Sequence, residues 1–234
     1  MNVDQSNEPN AIKERYARRN VGNRYSFLNP EVWLATQERQ RVMLILFSKQ
    51  LGLKNFNKCH LTEVGCGSGG NLLEFLRLGF APENLYGIEL LEDRVKAARK
   101  ILPAKVNILE GDANRVNIEC ASQDIVFQSV VFSSLLDDHF QAELASRMWQ
   151  WIKPGGGVLW YDFIYDNPHN PDVRGIKIKR IRELFPEGNI IIKHVTLAPP
   201  ISRRVCKIHP SLYHLFNVIP LLRTHVLCWI QKSS

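Results

Sequence analysis

Three glycines, Gly65, Gly67 and Gly69, stand at alternate positions behind the apolar stretch His60–Val64. Glycines placed after a strand let the backbone turn tightly and approach a ligand closely. The spacing Gly65-x-Gly67-x-x-Gly70 also fits the dinucleotide fingerprint. Taken alone, the loop therefore points to an adenine-containing cofactor and leaves its identity open.

Acidic residues around the loop separate the candidates. Glu63 lies two residues before Gly65, where a carboxylate holds loop amides and faces a cationic amino group. S-adenosylmethionine (SAM) carries an ammonium and a sulfonium, whereas NAD carries a pyrophosphate that a carboxylate repels. Glu89 comes 24 positions after Gly65, at the end of the next strand, where an acid takes ribose hydroxyls. Gly111-Asp112-Ala113 follows a third strand, and Asp112 there either accepts from an adenine amino group or closes a turn.

With these residues in place, the sequence resembles the class I SAM-dependent methyltransferases. The matching segments are Glu63–Gly69, Glu89, Gly111–Ala113, Asp124–Ser129 and Lys153–Gly157. The resemblance is strong from Lys58 to Phe163. It implies SAM as cofactor. Glu63, Gly65, Cys66, Gly67, Gly69 and Asn71 are expected around the methionine part, Glu89 and Leu90 at the ribose, and Asp112 and Ala113 at the adenine edge. Gln128 and Ser129 are expected at the methionine end. The implied fold is α/β: a Rossmann-like, doubly wound, mostly parallel seven-stranded sheet with an antiparallel edge strand.

The acceptor side departs from the family's familiar patterns. Ser133-Ser134 stands where many small-molecule members carry Glu-His, and Gln128–Val131 replaces the Asn/Asp-Pro-Pro-Tyr loop of amino-group enzymes. The paired cysteines of cytosine-C5 chemistry are absent. The segment Trp160–Gly175 gathers carboxylates, amides, rings and an arginine at a strand end. That mix suits a polyhydroxylated acceptor, with Tyr161, Tyr165, Asn167, Asn170 and Arg174 as its contacts. It also resembles a bacterial subgroup associated with surface-polysaccharide synthesis. A hydroxyl nucleophile needs a base within about 2.6–3.2 Å of its proton. Asp162 and His139 are the candidates, with His194 more distant. Asp137 and Asp138 are expected to cap the following helix, and no metal is expected. O-methylation of a sugar or glycan intermediate follows. RNA, a quinone or lipid-like acceptor, and a SAM-binding scaffold without turnover are the alternatives.

The elements that must position these groups alternate. Strands are expected at 60–64, 84–89, 105–109, 124–130 and 157–163, with helices at 71–78, 92–102 and 138–152. Such an order makes a parallel sheet with ligands at the strands' carboxyl ends. Residues 1–10 read as disordered, and residues 11–53 as helical with a break near Asn29-Pro30. The latter supply an N-terminal lid segment (1–53, with Tyr16, Arg19, Arg24 and Tyr25) before the methyltransferase domain (54–234). The tail offers two apolar strands, 190–197 and 225–230, separated by Pro199-Pro200 and a helix near 211–218.

The 234 residues suit one α/β domain, and 45% hydrophobic content is enough for its core. Five scattered cysteines show no zinc spacing and fit reduced thiols. The polar N-terminus and the lack of a long apolar run predict a cytoplasmic protein without a membrane span. The net charge is +7, with eleven basic residues from Arg174 onward against Glu183 and Glu187. That field favours an anionic acceptor or peripheral contact with the inner face of a membrane. Nucleic acid is not favoured, because no RNA-binding module or alternating basic-aromatic motif accompanies the charge.

Overall fold

The computed structural model describes residues 7–19, 22–52 and 55–233. Seven strands form one sheet in the order β3-β2-β1-β4-β5-β7-β6. They are β1 (Leu61–Val64), β2 (Leu85–Glu89), β3 (Asn107–Glu110), β4 (Gln123–Ser129), β5 (Ile152–Phe163), β6 (Asn189–Leu197) and β7 (Arg223–Gln231). The first five run parallel, and β7 is antiparallel to both β5 and β6. The antiparallel strand therefore lies one place in from the edge, and β6 closes that side. Strand order reverses between β1 and β4, so the carboxyl ends of these two strands mark the crevice where ligands bind such sheets.

Both faces of the sheet are covered, which explains why β1 and most of β4 are buried without alternation. On one face lie α2 (Pro30–Gln50), α3 (Gly70–Arg77) and α4 (Glu92–Ile101), which bury Phe47, Phe75 and Val95. On the other lie α1 (Glu8–Arg18), α5 (Asp138–Trp151) and α6 (Ile178–Leu184), which bury Ile12, Met148 and Ile181. A smaller apolar group joins β6 to α7 (Pro199–Ile208) and α8 (Leu212–Asn217) around Leu197, Val205 and Tyr213. Gly157 shows how closely β5 and β7 pack, since a Cβ there would stand 2.6 Å from the Trp229 ring.

Three expectations change. Residues 8–10, read as disordered, open α1; the first six lie outside the described residues. The reason is tertiary. The buried carboxylate of Glu8 pairs with Arg15 at 2.6 Å and accepts the Leu136 N–H at 2.7 Å. The 53/54 boundary falls on residues outside the description, but α2 itself is core, with Met43, Leu46 and Phe47 buried against the sheet. From this segment α1 supplies Pro9, Ile12 and Tyr16 to the wall of the cleft. Finally, Pro199-Pro200 opens α7 rather than breaking the chain, because proline is well suited to a first helical turn.

Candidate functional site

Gly65, Gly67 and Gly69 all take positive φ (66°, 56° and 86°), which only glycine adopts freely. A Cβ on Gly65 would stand 2.5 Å from Val131 Cγ2, whereas one on Gly67 would meet open space. The loop is therefore packed on one side and open on the other. Glu89 fixes it. One of its carboxylate oxygens accepts the Gly67 N–H at 2.8 Å, and the other accepts the Leu91 N–H at 2.9 Å. A carboxylate oxygen has two lone pairs, so each can take one further donor.

Beneath the loop, Glu63 is wholly buried. Its Oε1 accepts the Asn71 amide at 2.6 Å, while its Oε2 has no partner. Burial pushes the Glu63 carboxyl up to about 8, against the lowering effects of Asn71 and Arg39. Arg39 on α2 completes a relay. It donates to Asn71 Oδ1 at 2.7 Å and to Ser129 Oγ at 3.2 Å, and it pairs with Glu74 at 3.5 Å. An uncompensated buried carboxylate oxygen with a guanidinium two bonds away suits a zwitterion, with a cationic and an anionic group to satisfy.

Beside the loop a cleft of about 640 Å³, continuous with solvent, runs across the ends of β1, β2 and β3. Gly65, Glu89, Leu90, Asp112 and Ala113 line it. Its apolar walls include Ile88 and Leu135, and α1 contributes Pro9, Ile12 and Tyr16. Flat apolar walls ending in a carboxylate clamp fit an adenosine. Asp112 serves the turn as well as the wall, since its Oδ1 accepts the Asn114 N–H at 2.9 Å. Cys66 is buried beneath the loop, and burial pushes its thiol well up. Gln128 is also buried. Its Oε1 accepts the Val131 N–H at 3.0 Å and its amide donates to the Tyr161 carbonyl, so it shapes the strand end.

The acceptor-side candidates are more dispersed. Asp162 is wholly buried and does not line the cleft. Its oxygens accept the Ser133 and Phe163 N–H groups at 3.1 and 2.9 Å, and burial pushes its carboxyl up to about 7. His139 sits on the outer surface of α5, with its side chain 78% exposed and 3.6 Å from Glu143. Asp137 caps that helix, accepting the His139 and Phe140 N–H groups, as expected. In the loop after β5, Asn167 and Asn170 close turns through Oδ1, and Arg174 pairs with Asp138. Tyr165 is exposed, and the Tyr161 hydroxyl bonds to Thr196 Oγ1 at 2.9 Å. His194 lies on β6.

Three residues around the candidate site were not anticipated. Arg39 lies 32 residues before Asn71 and 90 before Ser129, so no local spacing marks it. Arg94 lines the cleft and stacks on Tyr16, 4.5 Å from the ring centroid. His225 stacks on Tyr161 at 5.2 Å, and burial pushes its imidazole down to about 4, so it is neutral near pH 7. The antiparallel direction of β7 was the available signal for His225, because it puts that strand's first residues at the carboxyl end of β5.

Comparison with known proteins agrees with this geometry. Residues 62–156 match the methyltransferase domain family. A SAM-dependent methyltransferase from Archaeoglobus fulgidus is 16% identical with a TM-score of 0.59, the match covering 83% of this chain and 94% of that one. One from Mesorhizobium loti is 14% identical with a TM-score of 0.56, covering 78% and 94%. A putative methyltransferase from Bacillus halodurans is 14% identical with a TM-score of 0.56, covering 85% and 100%. At such identities the likeness is one of fold. No curated protein matches the sequence.

Proposed function

We propose that this chain is a class I SAM-dependent methyltransferase and that it methylates a hydroxyl of a small polyhydroxylated acceptor, such as a sugar or glycan intermediate. The observation that carries this reading is the loop after β5, which is tied to α1 and to the 132–134 turn, two segments that also contribute residues to the cleft wall. The Arg174 N–H donates to the Ser133 carbonyl at 2.8 Å, and Arg18 of α1 pairs with Asp172 at 3.3 Å. The Nδ2 groups of Asn167 and Asn170 make no hydrogen bond among the described residues. Tyr165 supplies an open ring face for sugar C–H groups. No helix among the described residues is long and apolar enough to cross a membrane.

When bound, SAM supplies the electrophilic methyl group. Glu63 would hold its ammonium, Arg39 its carboxylate, Glu89 its ribose, and Asp112 with Ala113 its adenine edge. Replacing Arg39 with Gln should weaken SAM binding by about tenfold or more, as expected when a charged hydrogen bond is lost. Calorimetry reads this directly, and an unchanged affinity would remove Arg39 from the methionine subsite.

Asp162 acts in our reading by holding the Ser133–Ser134 turn, and His225, stacked on Tyr161, is the imidazole we favour over the exposed His139. An ionised Asp162 accepts both backbone N–H groups, whereas protonation converts one oxygen to a donor. Turnover should therefore rise with pH through about 7, the value to which burial raises this carboxyl. In Asp162→Asn that limb should vanish and kcat should fall, with SAM affinity kept within a few-fold. A wild-type pH profile in the variant would discard the role.

Acceptor class is tested with labelled SAM and fractionated polyol, glycan and nucleic-acid pools. Label in a base-stable methyl ether supports the reading. A base-labile ester, or methyl on nucleic acid, defeats it.

A further inference from the structure

The outward surface of α7 and α8 has no role in the site described above. On α7, Arg204, Lys207 and Ile208 are exposed at i, i+3 and i+4 spacing, so they share one face. On α8 and just beyond it, Leu215, Val218 and Ile219 repeat that spacing. Ile208, Leu215, Val218 and Leu221 are 79%, 64%, 71% and 86% exposed. Single exposed apolar residues are ordinary, but a run on consecutive helix faces needs a partner.

These residues do not point outward because the segment is loosely held. The opposite face of α8 is anchored to the buried carboxylate of Glu38 on α2. The Tyr213 hydroxyl donates to it at 2.9 Å and the Asn217 amide at 2.7 Å. Tyr213 and Asn217 are buried while Leu215 and Val218 face out. The display is therefore fixed by the fold.

Charge selects the partner. From Gly188 to the C-terminus there is no Asp or Glu. Arg203, Arg204 and Lys207 form no ion pair among the described residues. Glu31 is felt at Cys206, which lies on the buried face of α7. Exposed aliphatic side chains beside unpaired cations suit a surface with an apolar interior and an anionic boundary. A nucleic acid would use the cations and leave Leu215, Val218 and Leu221 in water, whereas a second copy of this face would oppose cation to cation. We propose that this face docks the enzyme peripherally on an anionic lipid bilayer. The docking is independent of which acceptor is methylated.

The test is flotation of the full chain with vesicles of phosphatidylcholine alone and of phosphatidylcholine mixed with phosphatidylglycerol. Binding is expected only to the anionic vesicles and should weaken with salt. Arg204→Ala and Lys207→Ala should each lower partitioning by about fivefold, and together multiplicatively. The double variant Leu215→Asp/Leu221→Asp should reduce it to the level of neutral vesicles. All variants should retain SAM affinity and thermal stability, because the substituted side chains are exposed and distant in sequence from the cleft residues. Failure to float with anionic vesicles overturns the proposal, as does binding that the Asp substitutions leave unchanged. A dimer dispersed by Leu221→Asp, or salt-sensitive RNA binding without vesicle binding, assigns the face to another partner and equally overturns it.

Discussion

Replacing Glu89 with alanine is expected to raise the dissociation constant for SAM by about 100-fold or more. The carboxylate performs two tasks at once. It accepts the N–H groups of Gly67 and Leu91, and it presents its remaining lone pairs to the cleft. Charge-assisted hydrogen bonds contribute about 1.5–3 kcal/mol each, and two lost interactions compound to roughly two orders of magnitude in affinity. The same change strips both backbone donors of their acceptor, so the free protein should also lose about 1–3 kcal/mol of stability. Glu89→Gln keeps one acceptor and should fall between wild type and alanine. Calorimetric titration with SAM and thermal melts of the free protein check both effects. An alanine variant that binds SAM within threefold of wild type would defeat the assignment of Glu89 to the ribose.

Glu63→Gln should produce the opposite combination: weaker cofactor binding and a more stable free protein at alkaline pH. Burial holds the Glu63 carboxyl near 8, far above its ordinary value of 4.5. The folded protein thus binds a proton that the unfolded chain has released. Stability from this group is full below about 4.5 and is lost as pH rises through about 8. Glutamine has no charge to bury, so the decline should flatten, with a gain on the order of 2 kcal/mol at the alkaline end. Asn71 can still donate to the glutamine oxygen. What disappears is a negative partner for the ammonium of SAM, at a cost of about tenfold or more in affinity. Wild-type affinity should itself improve between pH 6 and about 8, as the site gives up its proton to receive a cation. Melts and titrations across pH decide the matter. A variant whose stability falls with pH as steeply as wild type would show that Glu63 is not the group responsible.

The glycine loop and the acid at the end of β2 were legible because their causes are local. Gly65, Gly67 and Gly69 answer to backbone angles within one loop, and Glu89 follows from where β2 ends. The parallel strands announced themselves as short apolar runs between helices. What stayed hidden depends on contacts across the chain. Arg39 reaches Asn71 and Ser129 from a helix packed on the sheet, and nothing in the sequence near Arg39 encodes that distance. Asp162 could be placed at a strand end, but not on the side of β5 that also buries Trp160. Residues 8–10 lack apolar character, and their helix is secured by Glu8, whose partners lie partly 128 residues away. In the Trp160–Gly175 segment, composition alone could not tell that Asn167, Asn170 and Arg174 are partly engaged by the loop and its neighbours.

The attachment of α1 has a kinetic meaning. This helix contributes Pro9, Ile12 and Tyr16 to the wall of the cleft, yet Ile12 is its one buried apolar anchor among the described residues. Glu8 and Arg15 supply polar pegs to Leu136 and Ser134. An element held mainly by polar contacts, with one buried apolar anchor among the described residues, opens more often than the protein unfolds. If the cleft holds the nucleoside as proposed, its dwell time should follow how long these pegs stay in place. On that proposal, a helix that touches no reacting atom sets the pace of turnover, with exchange of spent cofactor rather than methyl transfer as the slow event.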